Sequence, residues 1–201
     1  MKKCILGLTG SIGTGKSTVS TIFKQQRIPV VDADVGARAV VEPGTIGLKR
    51  IEKTFGSSVI AKDGTLDRKA LGGIVFSDAD KRQHLDRLLA DLIYQWIQKE
   101  KDQYIAAGAD LVVLDIPLLF EAGYDKEVDK VMVVTVTEET QLERLMKREQ
   151  IKAEVAQAKI VAQLSIAEKV MRADYVIDNN GTKENTEKQV LHWLTKEGFA
   201  K

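Results

Sequence analysis

The run Gly10-Ser11-Ile12-Gly13-Thr14-Gly15-Lys16-Ser17 constrains this chain more than any other feature, because it matches G-x-x-x-x-G-K-[ST] in full. Its context is the one the chemistry requires. The apolar block Cys4-Ile5-Leu6-Gly7-Leu8-Thr9 reads as a short buried strand, and Val19, Ile22 and Phe23 fall on one face of the helix that follows. Glycines let successive backbone N–H groups converge on a polyphosphate, and a helix amino terminus adds partial positive charge. Lys16 is expected to reach the β- and γ-phosphates, and the Ser17 hydroxyl to ligate Mg²⁺. The plain alternative is a flexible glycine-rich turn, which has no reason to stand between a strand and a helix.

The rest of the chain alternates in the same way. Apolar runs recur at Ile28-Pro29-Val30-Val31-Asp32, Leu111 to Asp115, Val131 to Val136 and Val176-Ile177. Between them lie amphipathic patterns: Leu85, Leu88, Leu89, Leu92, Ile93, Trp96 and Ile97; then Leu142, Leu145 and Met146 behind a Thr137 cap; then Val190, Leu191 and Leu194. Apolar strands alternating with helices predict an α/β fold with a parallel sheet covered on both faces. With 201 residues, one domain carrying inserted segments is the expectation. Two stretches fit the alternation poorly. Residues from about Gly36 to Leu92 hold no clear core strand and read as a mostly helical insertion. Those from about Glu149 to Arg172 are rich in Ala, Lys, Glu and Gln, as a mobile lid or an exposed helical hairpin would be.

Composition removes several classes of function. Lys+Arg 30 against Asp+Glu 29 gives a net charge of +1, so global charge offers no argument for nucleic-acid binding. One cysteine, Cys4, rules out an internal disulfide and a cysteine zinc cage, and His84 and His192 stand too far apart in sequence to suggest a histidine metal site. Met1-Lys2-Lys3 and a short apolar run do not make a signal peptide, and no apolar stretch approaches the ~18 residues of a spanning helix. A cytoplasmic protein is expected, with no membrane or nucleic-acid partner.

No Asn-Lys-x-Asp sequence follows a later strand, which argues against a GTPase, and the chain is short for an ATPase motor. Phosphoryl transfer from ATP to a small acceptor is the economical reading. Asp32-Ala33-Asp34 ends the second strand, and ligands of open parallel sheets lie beyond the carboxyl ends of the strands. Asp32 there suits a base for an attacking hydroxyl, a carboxylate holding Mg²⁺ through water, or simply a helix cap; Asp34 suits the same crevice or the cap. Asp115 repeats the apolar run ending in acid, the pattern of a second magnesium-site strand or of simple capping at a strand end. Arg144 and Arg148, one helical turn apart, face one way and suit charge neutralisation of a transferring phosphoryl group, or simply solvent. Ile177-Asp178-Asn179-Asn180-Gly181 is a strand end running into a turn, where Asn180 suits the adenine or simply belongs to an ordinary Asn-Gly turn. His84 reads as a solvated helix residue, Trp96 and Trp193 as packing residues, and Cys4 as a small hydrophobe.

Taken together, Gly7 to Ser17, Asp32-Ala33-Asp34, Pro117-Leu118-Leu119-Phe120-Glu121 and Ala173-Asp174-Tyr175-Val176-Ile177-Asp178-Asn179 resemble the dephospho-coenzyme A kinases, in order and spacing, from Leu6 to about Gly181. The resemblance implies a P-loop NTPase-type parallel β-sheet flanked by helices. It implies a nucleotide core (about 1–35, 109–148 and 173–201), a helical substrate-binding insertion (about 36–108) and a lid (about 149–172). It implies that ATP phosphorylates the ribose 3′-hydroxyl of dephospho-CoA, the last step of coenzyme A synthesis; a monomer or weak homo-oligomer is expected. Asp32 would be the base facing that hydroxyl. Asp34, Arg38, Leu118, Phe120 and Glu121 would lie near the acceptor, Gly13, Thr14, Gly15, Lys16, Ser17 and Thr18 would hold the phosphates, Arg144 and Asn180 would contact the nucleotide, and Arg148 would open the lid. The sequence departs from the family pattern at Ala90-Asp91, where His-Pro is expected, and at Lys159 and Val170, where Arg is expected. The rival readings are another P-loop kinase of a small molecule, nucleoside or nucleotide, and a nucleotide-gated binding protein with little transfer activity.

Overall fold

A strand buried on both faces has no use for a polar alternation, and Leu111-Val112-Val113-Leu114-Asp115 is buried at every position. The computed structural model describes residues 3–75 and 78–200, so Met1 and Lys2 of the amino-terminal run lie outside it. The chain divides into two units, residues 1–31 with 101–201, and residues 32–100. In the first, β1 (Cys4–Gly10), β2 (Val30–Asp32, whose last residue opens the second unit), β3 (Leu111–Asp115), β4 (Lys130–Thr135) and β5 (Tyr175–Asp178) form one sheet of order β2-β3-β1-β4-β5. The pairs β1–β3, β1–β4 and β4–β5 are parallel. Register places Asp115 beside Leu8 and Val134 beside Gly10, so the glycine-rich turn leaves the carboxyl end of the central strand.

One sheet face is covered by α1 (Lys16–Gln25) and α9 (Lys183–Glu197), whose Ile22, Phe23, Val190, Trp193 and Leu194 pack with Leu6, Leu8, Val113, Met132 and Val134. Trp193 centres an aromatic group, edge-on to Phe23 at 6.0 Å and to Tyr175 at 5.5 Å between ring centroids. On the other face Gly7 is required by close approach: a Cβ there would lie 2.5 Å from Leu119 Cδ1. The helix α6 (Glu138–Glu149) begins at the expected cap, with the Thr137 hydroxyl accepting the Thr140 N–H and acids in the first turn. The stretch expected to be a lid or hairpin forms α7 (Ala153–Val161) and α8 (Ile166–Met171), the latter capped by Ser165.

The second unit is helical, as the absence of a strand pattern suggested. It contains α2 (Ala33–Ala39), α3 (Ile46–Phe55), α4 (Arg68–Val75) and most of α5 (Ala79–Ala106), whose last turn belongs to the first unit. Its core gathers Val41, Ile51, Val59, Leu71, Val75 and Leu89. Gly36 is buried against Trp96, so that a Cβ would meet the indole at 2.6 Å; Trp96 packs here, as its helical spacing suggested. His84 is exposed, edge-on to Phe55, and Cys4 is buried in β1. No helix of the described residues is long and apolar enough to cross a membrane.

Trp193 is 3% exposed, but its indole N–H is buried without a hydrogen-bond partner among the described residues. Its value therefore lies in volume rather than polarity. Trp193→Ala is expected to destabilise the fold by about 3–5 kcal/mol, and Trp193→Phe by a small part of that, since phenylalanine keeps the ring contacts and removes an unsatisfied donor. Urea denaturation followed by circular dichroism checks this; equal losses in both variants would mean that the indole N–H is partnered.

Candidate active site

The turn between β1 and α1 is held open by glycines and braced from behind. Gly13 and Gly15 take left-handed backbone angles (φ 84° and 83°) that side chains rarely adopt. At Gly15 a Cβ would also lie 2.2 Å from the Asn179 amide nitrogen, and at Gly10 one would lie 2.8 Å from the Val134 carbonyl. The helix α1 begins at Lys16 with no side-chain cap, which leaves its first N–H groups to the turn. Within the turn, Thr14 donates its hydroxyl to the Ser11 carbonyl at 2.8 Å.

Distant residues supply the bracing. The Asn179 amide donates to the Thr14 carbonyl at 2.8 Å, and its own oxygen accepts the Thr186 hydroxyl at 2.7 Å. Ile12 is gripped on both sides: its carbonyl accepts from Gln141 Nε2 at 2.7 Å and its N–H donates to Gln163 Oε1 at 2.8 Å. Lys16 Nζ pairs with Asp115 Oδ1, a carboxylate 4% exposed at the end of β3, so the ammonium is aimed by the neighbouring strand. The apolar run ending in acid thus serves the phosphate turn directly. Ser17 is exposed at the first turn of α1, and Thr18 is half-buried, with its N–H on the Gly15 carbonyl at 2.9 Å.

The two arginines of α6 part company. Arg144 Nη2 donates to the Asn179 carbonyl at 3.0 Å, and its Nη1 lies 3.7 Å from where a Gly15 Cβ would stand, beside the turn. Arg148, one turn on, is 57% exposed and pairs with Glu149 at 2.8 Å. Lys159 of α7 pairs with the same carboxylate, and hydrogen bonds from Lys159 and then Arg148 hold Glu149 below the ordinary carboxylate range. Asn180 is exposed in the turn after β5, where its side-chain oxygen accepts the Thr137 N–H at 2.9 Å.

Asp32 ends β2, and it is Asp32, not Asp34, that caps α2. Its carboxylate accepts the Asp34 N–H at 2.9 Å, because strand passes into helix without a linker and Asp34 is already in the first turn. Asp34 and Arg38 are exposed on α2. In the segment after β3, Leu118 is 44% exposed while Phe120 is 8% exposed beneath the Arg172 guanidinium, 5.7 Å from its ring centre. Glu121 Oε1 accepts the Leu164 N–H at 3.1 Å and lies 2.9 Å from Lys169 Nζ. Sequence reasoning missed Asn179, Gln141, Gln163 and Lys169. A signal existed for Asn179 alone, as the neighbour of an asparagine already singled out.

A parallel sheet with its phosphate turn on the central strand, a lysine and serine opening the helix, and helical segments set into the alternation define a P-loop phosphotransferase. A family profile described as dephospho-CoA kinase matches residues 4–185. A dephospho-CoA kinase of Listeria monocytogenes serovar 1/2a is 46% identical over 191 residues, covering 95% of this chain and 96% of that protein. Among solved structures, one from Thermus thermophilus superposes with a TM-score of 0.82 at 30% identity, covering 98% of each chain. The dephospho-CoA kinase from Campylobacter jejuni does so with 0.74 at 28%, again over 98% of each chain. The chain belongs to the dephospho-CoA kinase family.

If Asn179 props the turn, Asn179→Leu leaves the buried Thr14 carbonyl without its donor. A stability loss of about 1–3 kcal/mol is expected, together with weaker ATP binding, because the turn is no longer fixed beneath Gly15. Denaturation and ATP titration check the two effects. Loss of stability with unchanged ATP affinity would restrict Asn179 to packing.

Proposed function

We propose that the chain transfers the γ-phosphoryl group of ATP to the ribose 3′-hydroxyl of dephospho-CoA, releasing ADP and coenzyme A. The observation that carries this reading is the braced phosphate turn with Lys16 aimed by Asp115, in a chain that matches the family from residue 4 to 185. The turn from Gly13 to Thr18 would hold the phosphates, and Lys16 would set its charge against the β- and γ-oxygens. Arg144, beside Gly15, supplies a second positive charge near the same turn. Arg148 and Asn180 belong to this reading as lid and adenine contacts, and Asp34, Arg38, Leu118, Phe120 and Glu121 as acceptor contacts.

No three His, Cys, Asp or Glu side chains gather into a metal cage among the described residues, and Mg²⁺ characteristically takes few protein ligands alongside phosphate and water. The exposed Ser17 hydroxyl at the head of α1 fits that role and would hold the ion. When bound, Mg²⁺ neutralises charge on the β- and γ-phosphoryl oxygens. Asp115 would keep the Lys16 ammonium in place.

Asp32 would accept the proton of the attacking 3′-hydroxyl. Its carboxylate presents one oxygen to the Asp34 N–H, which fixes its orientation. Phosphoryl transfer leaves little covalent chemistry to the protein, so positioning and charge neutralisation supply most of the rate.

The test is ADP release from Mg-ATP with dephospho-CoA, adenosine or AMP as acceptor. A rise with dephospho-CoA alone, giving a 3′-phosphorylated product, is expected; a rise only with another acceptor would move the substrate. No rise with any acceptor despite ATP binding would favour a nucleotide-gated binding protein. Asp32→Asn should lower kcat by about 10²–10⁴-fold while the KM for ATP stays within a few-fold. Unchanged turnover would remove Asp32 from the base role.

A further inference from the structure

Lys169 of α8 is fully buried, although nothing in its sequence surroundings distinguishes it from the solvated lysines nearby. A buried ammonium persists only where it is paired and hydrogen-bonded. Lys169 Nζ lies 2.9 Å from Glu121 Oε1 and donates to the Pro117 carbonyl at 3.2 Å. The Pro117 carbonyl also accepts the Thr9 hydroxyl at 3.0 Å, which ties the start of this turn to the end of β1. Glu121 Oε1 also accepts a hydrogen bond from the Leu164 N–H, at 3.1 Å.

The two ends of the Pro117–Glu121 turn are therefore fixed by one side chain. A single carboxylate oxygen of Glu121 takes both contacts from the α7–α8 segment, the Lys169 ion pair and the Leu164 hydrogen bond. The other, Oε2, has no protein donor among the described residues, on a side chain 25% exposed. A carboxylate fixed through one oxygen offers the second as a directed acceptor. An ionised carboxylate accepts only, so it takes a donor such as a hydroxyl or N–H and repels a phosphate.

We propose that Lys169 is a positioning residue for the acceptor: it holds the Pro117–Glu121 turn so that Glu121 Oε2 accepts a hydrogen bond from a hydroxyl or N–H of dephospho-CoA. The inference rests on the dephospho-CoA kinase reading. It assigns Lys169 no part in proton or phosphoryl transfer.

Steady-state kinetics of the full chain provide the test. Lys169→Met keeps the length of the side chain and removes its charge. It should raise the KM for dephospho-CoA on the order of 10-fold, as loss of a hydrogen bond to a charged group does, while the KM for ATP and the kcat at saturating acceptor stay within about 3-fold. Glu121→Gln should also raise the acceptor KM. The double variant should be no worse than Lys169→Met alone, because both changes act through one contact. Should Lys169→Met fail to fold, the neutral pair of both substitutions, which leaves no uncompensated carboxylate, replaces it alongside Glu121→Gln. An unmoved acceptor KM in a folded variant overturns the inference, as does a parallel rise in both KM values or strict additivity in the double variant. Wild-type activity is measured first. If the wild type does not use dephospho-CoA, the functional reading falls and the inference with it; wild-type activity with an unmoved KM in the variant overturns the inference alone.

Discussion

A turn that aims successive N–H groups at one anion faces its donors outward, so its carbonyls and its left-handed glycines need support from behind. That requirement orders much of the first unit. With β1 central in the sheet, β3 on one side delivers Asp115 to the Lys16 ammonium. On the other side β4 leads into α6, which brings Gln141 to the Ile12 carbonyl, and β5 is followed at once by Asn179, which reaches the Thr14 carbonyl. Each brace is a polar group that would be costly to bury alone, and each is satisfied by the turn it supports. Asn179 shows how tight the fit is, since its amide occupies the space a side chain at position 15 would need.

What was legible in the sequence were the features set by local physics. The phosphate turn, the apolar strands, the Thr137 cap and the long amphipathic run from Leu85 to Ile97 all follow from spacing over a few residues, and all form as read. The bracing residues are partners in contacts spanning 129, 151 and 165 positions of sequence. A glutamine on a helix has the same local signature whether it faces water or a backbone carbonyl across the sheet. Asn179 and Asn180 are adjacent and chemically identical, and only the direction in which β5 ends decides that the first turns inward to the phosphate turn and the second outward to Thr137. Asp34 was a plausible cap for the same reason: the choice between it and Asp32 depends on where strand gives way to helix, which spacing does not resolve.

Two of the positions where another residue was expected, Asp91 and Lys159, have local ion-pair partners here. Asp91 forms a two-point pair with Arg50, at 2.7 and 3.0 Å, and that guanidinium also donates to the Leu88 carbonyl, joining α3 to α5 within the second unit. The Arg50 hydrogen bond, more than its charge alone, holds the Asp91 carboxyl below its ordinary range. Lys159 keeps a positive charge in α7 but directs it to Glu149 at the end of α6, where Arg148 already pairs. A lysine makes that contact as a point charge and lacks the fork with which an arginine grips two oxygens. Val170, half-buried in α8, adds apolar surface beside the buried Lys169.

The α7–α8 segment differs from the other helices of the first unit in how it is attached. Among the described residues α7 buries Ala156 and α8 buries Lys169, whereas α1 buries Val19, Ile22 and Phe23, and α9 buries Val190, Trp193 and Leu194. Apolar burial is roughly proportional to area, at about 25 cal/mol per Å², and has no preferred direction. A segment held mainly that way adheres wherever it lands. Gln163 on the Ile12 N–H, Leu164 and Lys169 on Glu121, and Arg172 over Phe120 are instead directional contacts between specific groups. Such contacts define one seated position sharply and can be exchanged for water at small net cost where the groups are exposed. Lys169 is the exception, because its ammonium leaves the protein interior only by breaking its pair with Glu121. The segment thus combines replaceable contacts at the phosphate turn with a stronger one at the Pro117–Glu121 turn.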